Sequence, residues 1–113
     1  MENYYRILSQ DITDNNAEFR IELCEDCPVY AGHFPGNPIA PGACNIEMVR
    51  ECISVVMKRE VRLAEIKLCK FTRIIRPNAD ERLLLTLQWD NSKVKSTIYV
   101  GDELAAQINV EVL

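Results

Sequence analysis

The chain has 113 residues, of which 48% are hydrophobic and 27% charged, with a formal net charge of −4. That length suits one domain, the composition is that of a folded globular protein, and the acidic balance argues against a nucleic acid as main partner. Met1-Glu2-Asn3-Tyr4-Tyr5-Arg6 lacks the cationic stretch and apolar run of a secretory signal, and no apolar run is long enough to span a bilayer, so the expected location is the cytoplasm, with no membrane partner.

Phe19, Ile21 and Leu23 alternate with Arg20 and Glu22, the period of a half-buried strand, which predicts a strand over 17–24. Cys24-Glu25-Asp26-Cys27 has the spacing of half a zinc site, but no second Cys or His pair follows, so no metal is expected. The cysteines are odd in number (Cys24, Cys27, Cys44, Cys52, Cys69) and fall in core-like segments, which suits buried thiols in a reducing compartment. Proline and glycine then concentrate between Pro28 and Gly42, the one unusual loop.

Beyond Gly42, apolar residues take helical spacing. Ile46, Val49, Ile53 and Val56 form one row, Met48, Cys52 and Val55 a second, and Glu47, Arg50, Glu51, Ser54 and Lys58 a polar stripe. This predicts a helix over 43–59 that is covered around most of its circumference. Strands are predicted over 62–74, 83–90, 93–100 and 103–112, with hairpin turns at Asp90-Asn91-Ser92 and Gly101-Asp102 and a corner at Pro77-Asn78-Ala79-Asp80. The order is strand, helix, then four antiparallel strands. One long apolar helix beside such a sheet must be buried in a concave face, so the expected class is α+β, a single domain over 1–113 with the sheet wrapped around a central helix.

The loop carries the chemistry. Ala31-Gly32-His33-Phe34-Pro35-Gly36-Asn37-Pro38-Ile39-Ala40-Pro41-Gly42 places three prolines and three glycines around the only histidine, and Glu47 follows on the helix. This run, with its spacing from His33 to Glu47, resembles the active-site signature of the 3-hydroxyacyl-[acyl-carrier-protein] dehydratases, which have the hot-dog fold. Phe71-Thr72-Arg73 before a proline-containing corner, and Tyr99-Val100-Gly101-Asp102-Glu103-Leu104-Ala105, resemble later strands of that family, so the likeness extends over residues 17–113.

The resemblance implies an enzyme without metal or cofactor that dehydrates 3-hydroxyacyl groups on an acyl carrier protein. It makes His33 the base at C2 and Glu47 the acid at the C3 hydroxyl. The Gly42 N–H, at the positive end of the helix, would hold the thioester oxygen, and Phe34, Ile39 and Ala43 would join it in the substrate-binding group. It further implies a homodimer with shared active sites, the histidine of one subunit facing the carboxylate of the other. The family commonly has glutamine one helical turn after the acid, where this chain has Glu51.

Lys67, Lys70, Arg73 and Arg76 form a locally basic stretch in an acidic chain, and Lys70, Arg73 and Arg76 are candidates for docking an acidic carrier protein. The same fold also serves thioesterases, and the same base and acid could shift a double bond. A non-catalytic acyl-binding or dimerisation module is the alternative of a different class.

Overall fold

The computed structural model describes residues 3–31, 36, 38–80 and 82–113. Strand β1 (Tyr5–Ile12) turns into β2 (Asn16–Leu23), a single 3-10 turn (Pro28–Ala31) opens the loop, and α1 runs over Gly42–Met57. Four strands follow: β3 (Leu63–Phe71), β4 (Arg82–Asp90), β5 (Lys93–Val100) and β6 (Glu103–Val112). All pair antiparallel in one sheet of order β1-β2-β4-β5-β6-β3.

The alternation in sequence becomes a two-faced sheet. Ala17, Phe19, Ile21 and Leu23 of β2 and Leu83, Leu85 and Leu87 of β4 are buried, in one core with Met48, Val49, Cys52 and Ile53 of α1. This is the α+β arrangement expected, with a single helix on a six-stranded antiparallel sheet. The first of its strands corrects the order read from sequence. β1 was not predicted because only Tyr5 and Ile7 are half-buried, while Leu8 and every residue beyond it to Ile12 are exposed. An edge strand with so little burial carries almost no period-2 signal.

Two turns match their sequence signals. Asp90 pairs with Lys93 across Asn91-Ser92, and Val100 with Glu103 across Gly101-Asp102. Asn91 (φ 55°) and Gly101 (φ 59°) supply the left-handed backbone that each tight reversal needs. At its end α1 stops on Lys58 (φ 55°), whose N–H donates to Val55 O while the Arg59 N–H donates to Ser54 O.

A bulge in β6 shapes the end of the sheet near the N-terminus of α1. Ile98 pairs with Ala106 but Tyr99 with Leu104, so Ala105 is an extra residue, and Ala105 and Ala106 are both buried in succession. The Ala105 carbonyl accepts the N–H groups of Thr72 (2.9 Å) and Arg73 (3.3 Å) just past the end of β3. β3 therefore ends at Phe71, not at 74 as the sequence suggested, and 72–75 swings out of the sheet.

Two further expectations are corrected. Val55 is exposed, so α1 is less fully covered than its two apolar rows implied. Cys27 and Cys52 are buried and burial pushes the Cys52 thiol up to about 12, but Cys69 stands exposed on the edge strand β3. No helix among the described residues is long and apolar enough to cross a membrane.

Candidate active site

The site is built around the N-terminus of α1. Pro41 (φ −67°, ψ 140°) occupies the N-cap position, and among the described residues no side chain caps the helix. The Asn45 N–H makes a helical bond to Pro41 O (3.1 Å), so the N–H groups of the preceding turn point away from the helix without intrahelical partners. Proline is well suited to this place, since its fixed φ leads the chain into the first turn. These donors sit at the positive end of a 16-residue helix.

A cavity of about 370 Å³ opens there, lined by Ile39, Ala40, Gly42, Asn45 and residues 71–75. Its walls are joined by the Ala40 N–H, which donates to Ile75 O (2.8 Å). Gly42 and Ile39, both expected from sequence to contact a substrate, thus share one cavity, while Ala43 is exposed beside them. A Cβ on Gly42 would lie 2.9 Å from Phe71 Cε2, so a side chain here would have to displace the exposed Phe71 ring. Gly42→Ala is expected to destabilise the fold, and Phe71→Ala in the same chain to recover part of the loss. A coupling of about 1 kcal/mol in a urea-denaturation double-mutant cycle would establish the contact; simple additivity would refute it.

Glu47 faces elsewhere. It lines a groove of about 580 Å³ with Arg50 and residues 60–63, and its side chain is 39% exposed. Arg50 Nε donates to Glu47 Oε1 (2.7 Å) and Arg50 Nη1 to Val61 O (3.0 Å), which ties the carboxylate to the segment after the helix. Arg50 also approaches Glu51 (4.0 Å) and Glu60 (3.7 Å). Glu51 accepts the Tyr5 hydroxyl at 2.8 Å. Burial works to raise its pKa, but hydrogen bonds, that of Tyr5 among them, and the Arg50 charge outweigh this and hold it below the usual carboxylate range. The helical carboxylates therefore face a cation between them, not each other alone.

His33 and Phe34 lie outside the described residues. Of the basic stretch, Arg73 is committed: Nη1 and Nη2 reach Asp80 at 3.0 and 3.1 Å and Nε reaches Glu103 at 2.9 Å. Asp80 also accepts the Arg76 N–H (3.1 Å). Lys67 pairs with Glu65 (3.2 Å), and Lys70 is exposed on β3. The hydrogen bond from Arg73 holds the Asp80 carboxyl below the usual aspartate range, with the Arg76 N–H and charge adding to it against a smaller effect of burial. A depressed carboxylate stabilises the fold above its unfolded pKa and loses that contribution as pH falls through the folded one. The parent should therefore be more stable than Asp80→Asn at neutral pH, with the difference shrinking once pH drops below about 4. A constant difference across thermal melts from pH 7 to 3 would contradict this.

Sequence reasoning gave no site role to Asn45, Arg50 or Phe71. Asn45 had a signal: it precedes Met48, Val49 and Cys52 at helical spacing, and a polar residue on the buried stripe of a helix calls for a partner. Arg50 and Phe71 had none, since their roles depend on contacts across elements.

The family described as ApeI-like, ApeI dehydratase, matches residues 9–108. A 3-hydroxyacyl-[acyl-carrier-protein] dehydratase FabZ of Levilactobacillus brevis is 30% identical, over 96% of this chain and 83% of its own length. The same-named protein of Caldicellulosiruptor saccharolyticus is 30% identical over 71% of this chain, and the match spans just under two thirds, 64%, of that protein. Among solved structures, the dehydratase heterocomplex ApeI:P from Xenorhabdus doucetiae superposes with a TM-score of 0.82 at 21% identity, covering 95% of this chain and 96% of the other. An uncharacterized protein from Erwinia carotovora subsp. atroseptica superposes with a TM-score of 0.75 at 22% identity, covering 96% and 95%. These superpositions establish the hot-dog fold.

Proposed function

This chain belongs to the ApeI-like dehydratase family, and from that premise we propose that it dehydrates 3-hydroxyacyl thioesters on an acyl carrier protein to trans-2-enoyl thioesters, as a cytoplasmic homodimer. His33 takes the C2 proton, the electron pair left behind forms the C2–C3 double bond, and the C3 hydroxyl leaves as water with a proton from Glu47. The Gly42 N–H meets the charge that gathers on the thioester oxygen.

The observation that carries the reading is the uncapped helix N-terminus opening on a largely apolar cavity beside Gly42. Glu47 lines a different groove from Gly42 and Ile39, which supports a site completed by a second chain. β3 is an edge strand, and Ile66, Phe71 and Ile74, on it and just past its end, are 45–54% exposed. These apolar side chains stand among the charged Glu65, Lys67 and Lys70, and a second copy would cover them. The relative described as a heterocomplex makes a different chain the competing occupant.

A second reading has its own support. Arg50 Nε donates to Glu47, whereas a general acid must itself donate a proton, and this favours a non-catalytic acyl-binding module. Incubating the purified chain with a 3-hydroxyacyl thioester on carrier protein separates the two. Growth of enoyl absorbance supports the dehydratase; acyl binding with no turnover on any carrier moves the assignment to the module.

A further inference from the structure

The cavity beside Gly42 is walled by Ile39, Ala40, Phe71, Ile74 and Ile75, with Thr72, Arg73 and Asn45 as its polar side chains. Two of these are already spent. The Thr72 hydroxyl donates to Leu104 O (2.7 Å), and the Arg73 guanidinium is clasped by Asp80 and Glu103. Asn45 differs. It is only 2% exposed, and its Oδ1 accepts the hydroxyl of the fully buried Tyr4 at 2.6 Å. Tyr4 is held in turn by its own backbone O, which accepts the Cys24 N–H (2.9 Å), and by the stacked ring of Tyr30 (6.3 Å between centroids).

With Oδ1 fixed, the amide nitrogen of Asn45 is turned the other way. It makes no hydrogen bond among the described residues, and Asn45 is one of the residues that line the cavity. A helical side chain tilts toward the N-terminus and covers the turn before its own Cα, which here is the turn of Pro41 and Gly42. Asn45 and Gly42 therefore line one cavity at the start of the helix. A carbonyl oxygen has two lone pairs and takes two such donors.

We propose that Asn45 is a second donor to the substrate's thioester oxygen, acting beside the Gly42 N–H and aimed by the Tyr4 hydroxyl. The proposal rests on the acyl-thioester reading above and adds the residue that would sense the carbonyl. A purely structural tie to Tyr4 would need only the acceptor of Asn45. Leaving a donor open in a largely apolar cavity is a cost unless something occupies it.

The test compares two ligands by calorimetry: hexanoyl-pantetheine, a thioester, and hexyl-pantetheine, the thioether without the carbonyl. The parent should prefer the thioester by about tenfold. Asn45→Asp keeps the acceptor for Tyr4 but loses the amide donor, and should lose most of that preference with thioether affinity unchanged. Tyr4→Phe keeps the buried ring while freeing the amide to turn, and should lie between the two; it carries the test if Asn45→Asp does not fold. With turnover, Asn45→Asp should lower kcat by about 10²-fold with little change in KM. An unchanged preference in the variants overturns the role of Asn45 and leaves the acyl site standing, and equal binding of the two ligands by the parent overturns carbonyl recognition by Asn45 and by the Gly42 N–H alike. A parent that binds neither ligand overturns both.

Discussion

His33→Ala and Glu47→Gln are each expected to lower turnover of a 3-hydroxyacyl thioester by about 10²–10⁴-fold, the usual contribution of a placed base or acid. Refolded together in equal amounts, the two inactive chains should recover about a quarter of the parent rate if the sites are shared, because half of random pairings are mixed and a mixed two-fold dimer keeps one intact site of two. The expectation follows from placement: Glu47 and Gly42 line separate grooves of one chain. Recovery would establish both residues and the sharing of sites in a single assay. If the mixture stays inactive while each variant folds, the sites are not shared between subunits, and the homodimer loses its functional argument.

Phe19→Ala should cost about 3–5 kcal/mol, a large part of the stability of a domain this size. Phe19 is fully buried on the core face of β2, between Ala17 and Ile21 and in one cluster with the apolar face of α1. Removing the ring loses its transfer energy and leaves a cavity that a sheet paired on both sides, β1 and β4, cannot collapse to fill. A fall in Tm of more than about 10 °C, at fixed protein concentration because a dimer's stability depends on it, is the expected reading. A shift within a few degrees would mean that the helix does not pack on this face.

The central elements were legible because each is written in a local period. Helical spacing from Ile46 to Val56 and alternation in β2 put apolar residues on one side, and burying that side is what holds the domain together. Hairpins at Asn91 and Gly101 were equally plain, since left-handed backbone has few acceptable residues. β1 was hidden for the converse reason: its stability comes from pairing with β2, and its side chains are mostly exposed. The early end of β3 depends on the Ala105 bulge, which belongs to another strand altogether.

For the site, the loop around His33 and the spacing to Glu47 stand in the sequence as a continuous pattern, and so does the glycine that starts the helix. What no local pattern could express is which groups meet. That Arg50 engages Glu47, that Arg73 is spent on Asp80 and Glu103, and that Phe71 sits on Gly42 are contacts between charges or surfaces brought together from different elements. By itself the sequence determined the fold class, the core faces and the candidate chemistry, because burial and turn geometry act over a few neighbouring residues. The tertiary structure alone decided that Tyr4 and Asn45, 41 positions apart, meet in the interior. A hydrogen bond of that kind depends on distance in space, and strand pairing and helix packing create that distance only when the whole chain has folded.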